Sequence, residues 1–180
     1  MSLLDQSITD YVMNQGMWGL GSGDILDQTG AKVGSTRRKM LPMLTEIELM
    51  DVNDGIACIM RRKTVGTHRI YSVEDTTGKV LGLTKKGLTT TRHALRMYDP
   101  NQKELFKASR TATKWDFSIS SPRRRGRTCA FVRKASNWER VLLPGSGFKE
   151  RYVVHIQDPE VDRLLLIAYA IIIDDTHRGV

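Results

Sequence analysis

The sequence predicts a mainly β domain of the α+β class, a closed antiparallel barrel of about 12 strands around a central hydrophobic helix near residues 159–174. Three features favour this fold. Short runs between residues 24 and 156 alternate apolar and polar side chains with the period of two that is typical of strands. Turn residues separate these runs, and a long uncharged run follows the last of them. Because a closed barrel leaves no unpaired strand edge, we favour it over a β-sandwich, which is the main alternative.

Turns of similar chemistry recur along the chain. An Asp followed three positions later by Gly separates two strand-like arms at residues 27–30 and again at residues 75–78. A degenerate form of the phrase occurs at residues 99–101, and residues 53–55 mark a fourth turn. Asp accepts hydrogen bonds from the backbone ahead of it and Gly adopts positive φ, so each phrase predicts a hairpin turn.

The spacing of the arms gives the strand list and the domain organisation. A chain of 180 residues suffices for one substantial core, so we expect a short N-terminal segment, 1–16, and a single barrel domain, 17–180. The predicted strands lie near residues 24–27, 31–36, 45–51, 56–61, 68–74, 79–84, 93–98, 103–109, 113–119, 127–133, 138–142 and 151–156.

The uncharged run 164–173 is predicted to be the core helix of the barrel. Asp158 is a good N-cap and Pro159 suits the first helical position. Ten helical residues rise about 15 Å, half of the roughly 30 Å hydrocarbon core, so we expect no transmembrane span. A helix that is apolar on every side must be buried on every side. A buried strand is the alternative, since residues 171–173 are β-branched. The predicted core side chains are Leu164, Leu165, Leu166, Ile167, Ile171, Ile172 and Ile173.

Four segments, 70–83, 95–109, 151–158 and 161–174, together resemble the superfamily of tubby C-terminal domains, phospholipid scramblases and plant LURP-one-related proteins. The resemblance extends from about residue 17 onward and implies a 12-stranded barrel around a hydrophobic C-terminal helix. It also implies an association with membranes, because tubby-like domains bind phosphoinositide headgroups and scramblases are linked to calcium-dependent lipid movement. LURP-one-related members are connected with plant defence, without a clear biochemical activity.

The resemblance also suggests a place to look for calcium. A proposed scramblase calcium segment lies near the acidic residues that precede the helix, Asp158, Glu160 and Asp162. Helix capping explains these three side chains without a metal ion. We therefore predict neither a metal site nor a cofactor.

Basic residues form the candidate binding site. The 28 basic and 20 acidic residues leave a net charge of +8, which favours anionic partners. Arginines flanking a Pro and a Gly indicate a loop whose guanidinium groups reach one phosphate together, although a solvated loop is equally compatible with the pattern. A second cluster follows the fourth predicted strand. The predicted anion-binding residues are Arg123, Arg124, Arg125 and Arg127, with Arg61, Arg62 and Lys63 in the second cluster.

The charge, the arginine loop and the resemblance together predict a non-catalytic binding module for anionic membrane lipid headgroups. Nucleic-acid binding is the alternative function for the arginine loop. Four aromatic residues bracket it, Trp115, Phe117, Phe131 and Trp138, and exposed rings beside basic groups suit base stacking. Alternation weakens this interpretation, because residues 115 and 117 share one face of a strand and are expected to point inward. A protein-interaction or structural role for the barrel is a further alternative, with an unknown protein partner.

The sequence contains no catalytic motif, so we predict that the protein is not an enzyme. The glycine-rich residues 19–26 lack the dinucleotide-binding pattern, and residues 143–148 lack the GxSxG pattern. Cys58 and Cys129 lie in strand-like runs and are expected to be buried thiols. Because the N-terminus has no signal sequence, we expect a cytoplasmic protein, with a peripheral position at the membrane.

Overall fold

The described residues form a twelve-stranded antiparallel barrel closed around an α-helix. The computed structural model describes residues 2–14, 22–41, 44–65, 68–86, 94–111, 116–134 and 151–177. The helix, α1, spans Arg163–His177. The strands are β1 (Asp10–Asn14), β2 (Ser22–Leu26), β3 (Lys32–Leu41), β4 (Leu44–Asp51), β5 (Ile56–Val65), β6 (His68–Glu74), β7 (Val80–Lys86), β8 (Leu95–Tyr98), β9 (Glu104–Arg110), β10 (Phe117–Ser120), β11 (Thr128–Lys134) and β12 (Arg151–Ile156).

Each strand pairs antiparallel with the next strand along the chain, and β1 pairs with β12 to close the barrel. In the closing pair, Asp10 lies opposite His155 and Asn14 lies opposite Arg151. Successive connections therefore alternate between the two ends of the barrel. The predicted fold class, a closed antiparallel barrel of about 12 strands with a helical core, is confirmed.

The turns at residues 27–30 and 75–78 share one hydrogen-bonding scheme. The Asp27 carboxylate accepts the N–H groups of Thr29 at 2.8 Å and Ala31 at 3.0 Å, and the Gly30 N–H donates to the Asp27 carbonyl at 3.0 Å. Asp75 accepts the equivalent N–H groups in its own turn. Turn aspartates recur every 24 residues, at positions 27, 51, 75 and 99.

Each of the four turns also contains one residue with positive φ, two positions before the second strand of the hairpin begins. Gly30 has φ 85° and Gly78 has φ 84°, whereas Asp54 (φ 58°) and Gln102 (φ 63°) take the same place in the two turns without Gly there. A register shift accompanies every such turn, as a β-bulge of this kind requires. Local turn chemistry therefore fixes four of the hairpins.

The strand list missed β1. This strand lies in the segment 1–16 that the sequence analysis set before the barrel, so the barrel includes residues ahead of residue 17. The strand is short, with the five residues DYVMN, and lies outside the repeated turn phrases from which the other strands were located. The predicted strand at residues 138–142 lies outside the described residues.

Helix α1 begins four residues later than predicted. The Asp162 carboxylate, not that of Asp158, accepts a backbone N–H of the first helical turn, that of Leu165, at 3.0 Å. Asp158 instead accepts the Glu160 N–H at 3.0 Å, which forms a turn ahead of the helix. Both aspartates have the side chain that an N-cap requires, and the extra turn lets the chain bend from β12 into the barrel.

The helix fills the barrel from end to end. Its 15 residues rise about 22 Å. Of the seven predicted core side chains, Leu164 is half-buried and packs against the core, while the others are at most 8% exposed. Tyr169 stacks on Phe106 with ring centroids 5.8 Å apart, and its hydroxyl donates to the Leu95 carbonyl at 2.5 Å. Within the described part of the chain, no helix is long and apolar enough to cross a membrane.

A buried arginine at the start of α1, Arg163, forms hydrogen bonds with the N-terminal segment. Arg163 is 6% exposed, and its guanidinium donates to the carbonyls of Ile8 at 2.6 Å and Gln6 at 2.8 Å. The Tyr11 hydroxyl lies beside it and donates to the Leu3 carbonyl at 2.8 Å. Residues 2–9 therefore cover the end of the barrel at which the helix begins.

Opposite charges meet at the other end of the helix. Asp175 is 5% exposed, and its carboxylate accepts hydrogen bonds from Arg38, from Arg62 at 3.0 Å and from the Tyr71 hydroxyl at 2.6 Å. Burial alone would raise the pKa of Asp175, but the Tyr71 hydrogen bond and the Arg38 charge outweigh it and hold that pKa below its usual value. These contacts join the last turn of α1 to β3, β5 and β6.

We predict that Ile171→Asp prevents folding. The side chain of Ile171 is 3% exposed inside the barrel, and an unpaired carboxylate there costs several kcal/mol, a large part of the roughly 5–15 kcal/mol that stabilises a typical domain. Ile171→Val, the matched control, should lose only about 1 kcal/mol. Circular dichroism melting of both variants checks this, and a cooperative melt of Ile171→Asp near the wild-type temperature would contradict burial of the helix.

We predict that Asp175→Asn lowers the free energy of unfolding by about 3 kcal/mol at neutral pH, because two largely buried guanidinium groups lose their counter-charge. A folded pKa below the unfolded value means that the stabilisation is full above the unfolded pKa, about 3.9, and is lost as pH falls through the folded pKa. In urea unfolding across this range, the difference in free energy of unfolding between the wild type and Asp175→Asn should shrink as the pH falls. Asp54→Asn, on an exposed turn, is the control, and a gap independent of pH would refute the electrostatic origin.

Candidate anion-binding site

The predicted arginine loop is the connection between β10 and β11. Pro122–Arg124 form one turn of 3-10 helix, and Arg125 closes it in the left-handed conformation with φ 56°. The Ser121 carbonyl accepts the N–H groups of Arg124 and Gly126, each at 3.0 Å. Backbone hydrogen bonds therefore order this loop from within and fix the directions in which its arginines leave the backbone.

Two of the four arginines are paired with carboxylates of neighbouring connections. Arg123 contacts Asp99, in the turn between β8 and β9, at 2.8 Å. Arg124 contacts Asp158 at 3.2 Å and Glu160 at 2.6 Å, both in the segment that leads into α1. The hydrogen bond to Glu160, together with the charge of Asp158, raises the pKa of Arg124. Because these three carboxylates balance much of its charge, the loop is less basic than its sequence indicates.

Arg125 and Arg127 complete the loop, and both are exposed. All four arginines line one open recess of about 640 Å³, together with Thr128, Gln157 and the carboxylates Asp158 and Glu160. Its volume lies within the roughly 300–1,000 Å³ of small-ligand pockets. The recess, which we call the outer recess, is therefore positive in balance, with four guanidinium groups against two carboxylates.

The second predicted cluster does not form one surface. Arg61, Arg62 and Lys63 lie within β5 rather than after a strand, so successive side chains point to opposite faces of the barrel wall. Arg61 pairs with Glu46 at 3.1 Å and also with Glu74 on the outside.

The other two members of that cluster have different surroundings. Arg62 points inward, where it binds Asp175 and donates to the Thr45 hydroxyl at 2.8 Å. Lys63 is exposed. Arg61 and Arg62 therefore form ion pairs within the protein, and the arginine loop is the candidate site that remains.

The aromatic residues around the loop do not form a stacking surface among the described residues. Phe117 is 4% exposed and belongs to the core, and Phe131 is half-buried. Trp115 and Trp138 lie outside the described residues. The inward direction expected for residue 117 is thus observed.

No three His, Cys, Asp or Glu side chains within the described ranges lie close enough together to hold a metal ion. The acidic residues before α1 have other partners, since Asp158 and Glu160 bind Arg124 and Asp162 caps the helix. Both cysteines are buried free thiols, and burial raises the pKa of Cys58 to about 12, which leaves it protonated at neutral pH.

The carboxylates that pair with the arginine loop were not predicted from the sequence. Asp99 was identified only as a turn residue, and Glu160 only as part of a helix start. Connections alternate between the barrel ends, so the turn after β8 and the loop after β10 lie at the same end. A predicted strand order would therefore have indicated that Asp99 and Arg123 lie close together.

Comparisons with known proteins agree with this architecture. The model of the LURP-one-related family matches residues 9–174. No curated protein matches significantly. An X-ray structure of a protein from Arabidopsis thaliana is similar to this chain with a TM-score of 0.62 and 13% sequence identity, over 97% of this chain and 98% of that one. At that identity the likeness shows the fold alone. Because the family match spans nearly all of the barrel and its core helix, the protein belongs to the LURP-one-related family.

Proposed function

We propose that this protein is a non-catalytic binding module for anionic phospholipid headgroups, and that the arginine loop is its contact site. The observation that carries the proposal is the outer recess, where four guanidinium groups from one short loop line the same cavity. Arginine binds phosphate oxygens through paired N–H donors, so several arginines on one cavity suit a phosphate ligand better than isolated surface charges do.

Three of the four arginines take different roles in this proposal. Arg125 and Arg127 are exposed and form the first contact with an anionic surface. Arg124 follows by exchanging Glu160, which is 73% exposed, for a phosphate oxygen. Surface ion pairs of this kind are weak, so the exchange costs little.

The proposed setting is the cytoplasmic face of a membrane, to which the protein binds peripherally. The surface of that leaflet is negative, and each basic residue near it contributes about 1 kcal/mol. A net charge of +8 assists the approach over distances within the Debye length of roughly 8–10 Å. Binding through charge alone weakens with salt, whereas a fitted headgroup site retains part of its affinity.

We predict that Arg125→Gln/Arg127→Gln weakens binding to anionic vesicles by on the order of 30-fold at low salt. The measurement is co-sedimentation with neutral, phosphatidylserine-containing and phosphoinositide-containing vesicles, at low and physiological salt. Lys63→Gln/Arg110→Gln is the matched control, because it removes two exposed positive charges near the opposite end of the barrel. This control should bind nearly as the wild type does.

Single-stranded DNA, added as a competitor, separates the lipid site from a nucleic-acid site. Retained binding to one headgroup at physiological salt, in the presence of the competitor, supports the proposal. Equal losses in the two double variants would show that net charge rather than the loop drives binding. Absence of binding to every vesicle would overturn the lipid function and direct attention to a protein partner.

A further inference from the structure

A second recess lies directly inside the outer one. Its volume is about 360 Å³, and its apolar wall consists of Leu105, Phe106, Val161 and Leu165. Three of these side chains belong to the hydrophobic core, and Val161 packs against that core. This inner recess is therefore a place where the apolar interior of the barrel approaches the surface, beside the first turn of α1.

The two recesses adjoin each other. Arg123, Arg124 and Glu160 line both of them. A ligand that occupies both would meet guanidinium groups on its outer part and the side chains of the core on its inner part. That combination, an anion-binding rim above an apolar floor, is the chemistry of an anionic amphiphile rather than of a free phosphate.

We infer that the paired recesses bind one single-chain anionic amphiphile of the lysophospholipid class, with its phosphate among the arginines and its acyl chain in the inner recess. This inference rests on the proposed function and adds the identity of the ligand. The volume of the inner recess lies near the lower limit for small-ligand pockets, so it takes one chain and not two.

Charge selects the orientation of the ligand. In the inner recess the carboxylates of Glu160 and Asp162 balance the two arginines that also line it, so a phosphate gains less there than in the outer recess, where arginines are in excess. Arg125 and Arg127 line only the outer recess. The phosphate therefore stays outside, and the chain points toward Phe106 and Leu165.

The test is calorimetric titration with 1-acylglycerol 3-phosphates that carry acetyl, butyryl, hexanoyl and octanoyl chains, all below their micelle concentrations, and with glycerol 3-phosphate. Each methylene that enters the recess should tighten the dissociation constant by up to about fourfold. The gain should stop once the recess is full. Uncharged 1-acylglycerols of the same lengths should bind far more weakly.

Two variants locate the two parts of the ligand. Val161→Trp fills the inner recess, so it should remove the gain with chain length and leave glycerol 3-phosphate binding unchanged. Arg125→Gln/Arg127→Gln should weaken every phosphate ligand by the same factor and keep the chain-length gain.

The outcomes separate this inference from the proposed function. An affinity independent of chain length in the wild-type protein, with vesicle binding intact, would overturn the inference alone. A chain-length gain that persists in Val161→Trp would also overturn it, because the chain would then lie elsewhere. If the wild-type protein binds neither anionic vesicles nor glycerol 3-phosphate, the proposed function itself is overturned.

Discussion

The structure depends on the exclusion of water from the apolar middle of helix α1, residues 165–173, all of which are buried. A helix without a polar face is stable only where every side is covered, and twelve strands cover it here. Because the helix ends are buried as well, their polar groups need hydrogen-bond or ion-pair partners within the protein. Arg163 finds backbone carbonyls of residues 6 and 8 at one end, and Asp175 finds arginines of the wall at the other. The barrel and its core helix therefore stabilise each other.

Features with local causes were predictable from the sequence, and features with tertiary causes were not. The turns at 27–30 and 75–78 are set by a carboxylate and a glycine within a few residues, so both could be located without a structure. Strand β1 lies outside the repeated turn phrases, and one of its two partners, β12, is some 140 residues away in sequence. The start of α1 was ambiguous because Asp158 and Asp162 are equally good caps, and only the path from β12 decides between them.

The candidate site illustrates the same division. The arginine loop was evident because its residues are contiguous, but the charges that oppose them come from other connections. In the sequence, Arg61 and Arg62 form one basic cluster. In β5 they point to opposite faces of the barrel wall, so Arg61 pairs with glutamates on the outside and Arg62 pairs with Asp175 inside. The four arginines that line the outer recess could therefore be predicted from the sequence. Its two carboxylates and the inner recess could not, because they depend on how the barrel brings separate connections together.

The position of α1 in the chain constrains the order in which the protein folds. All twelve strands precede the helix, and the hairpins β2 to β11 join neighbours in sequence, so these can form as synthesis proceeds. The barrel cannot acquire its core until the helix has left the ribosome, and its closing pair joins the first strand to the last. Until then the inner face of a nearly complete sheet is exposed to water and neighbouring chains, so the nascent protein depends on protection from aggregation late in its synthesis.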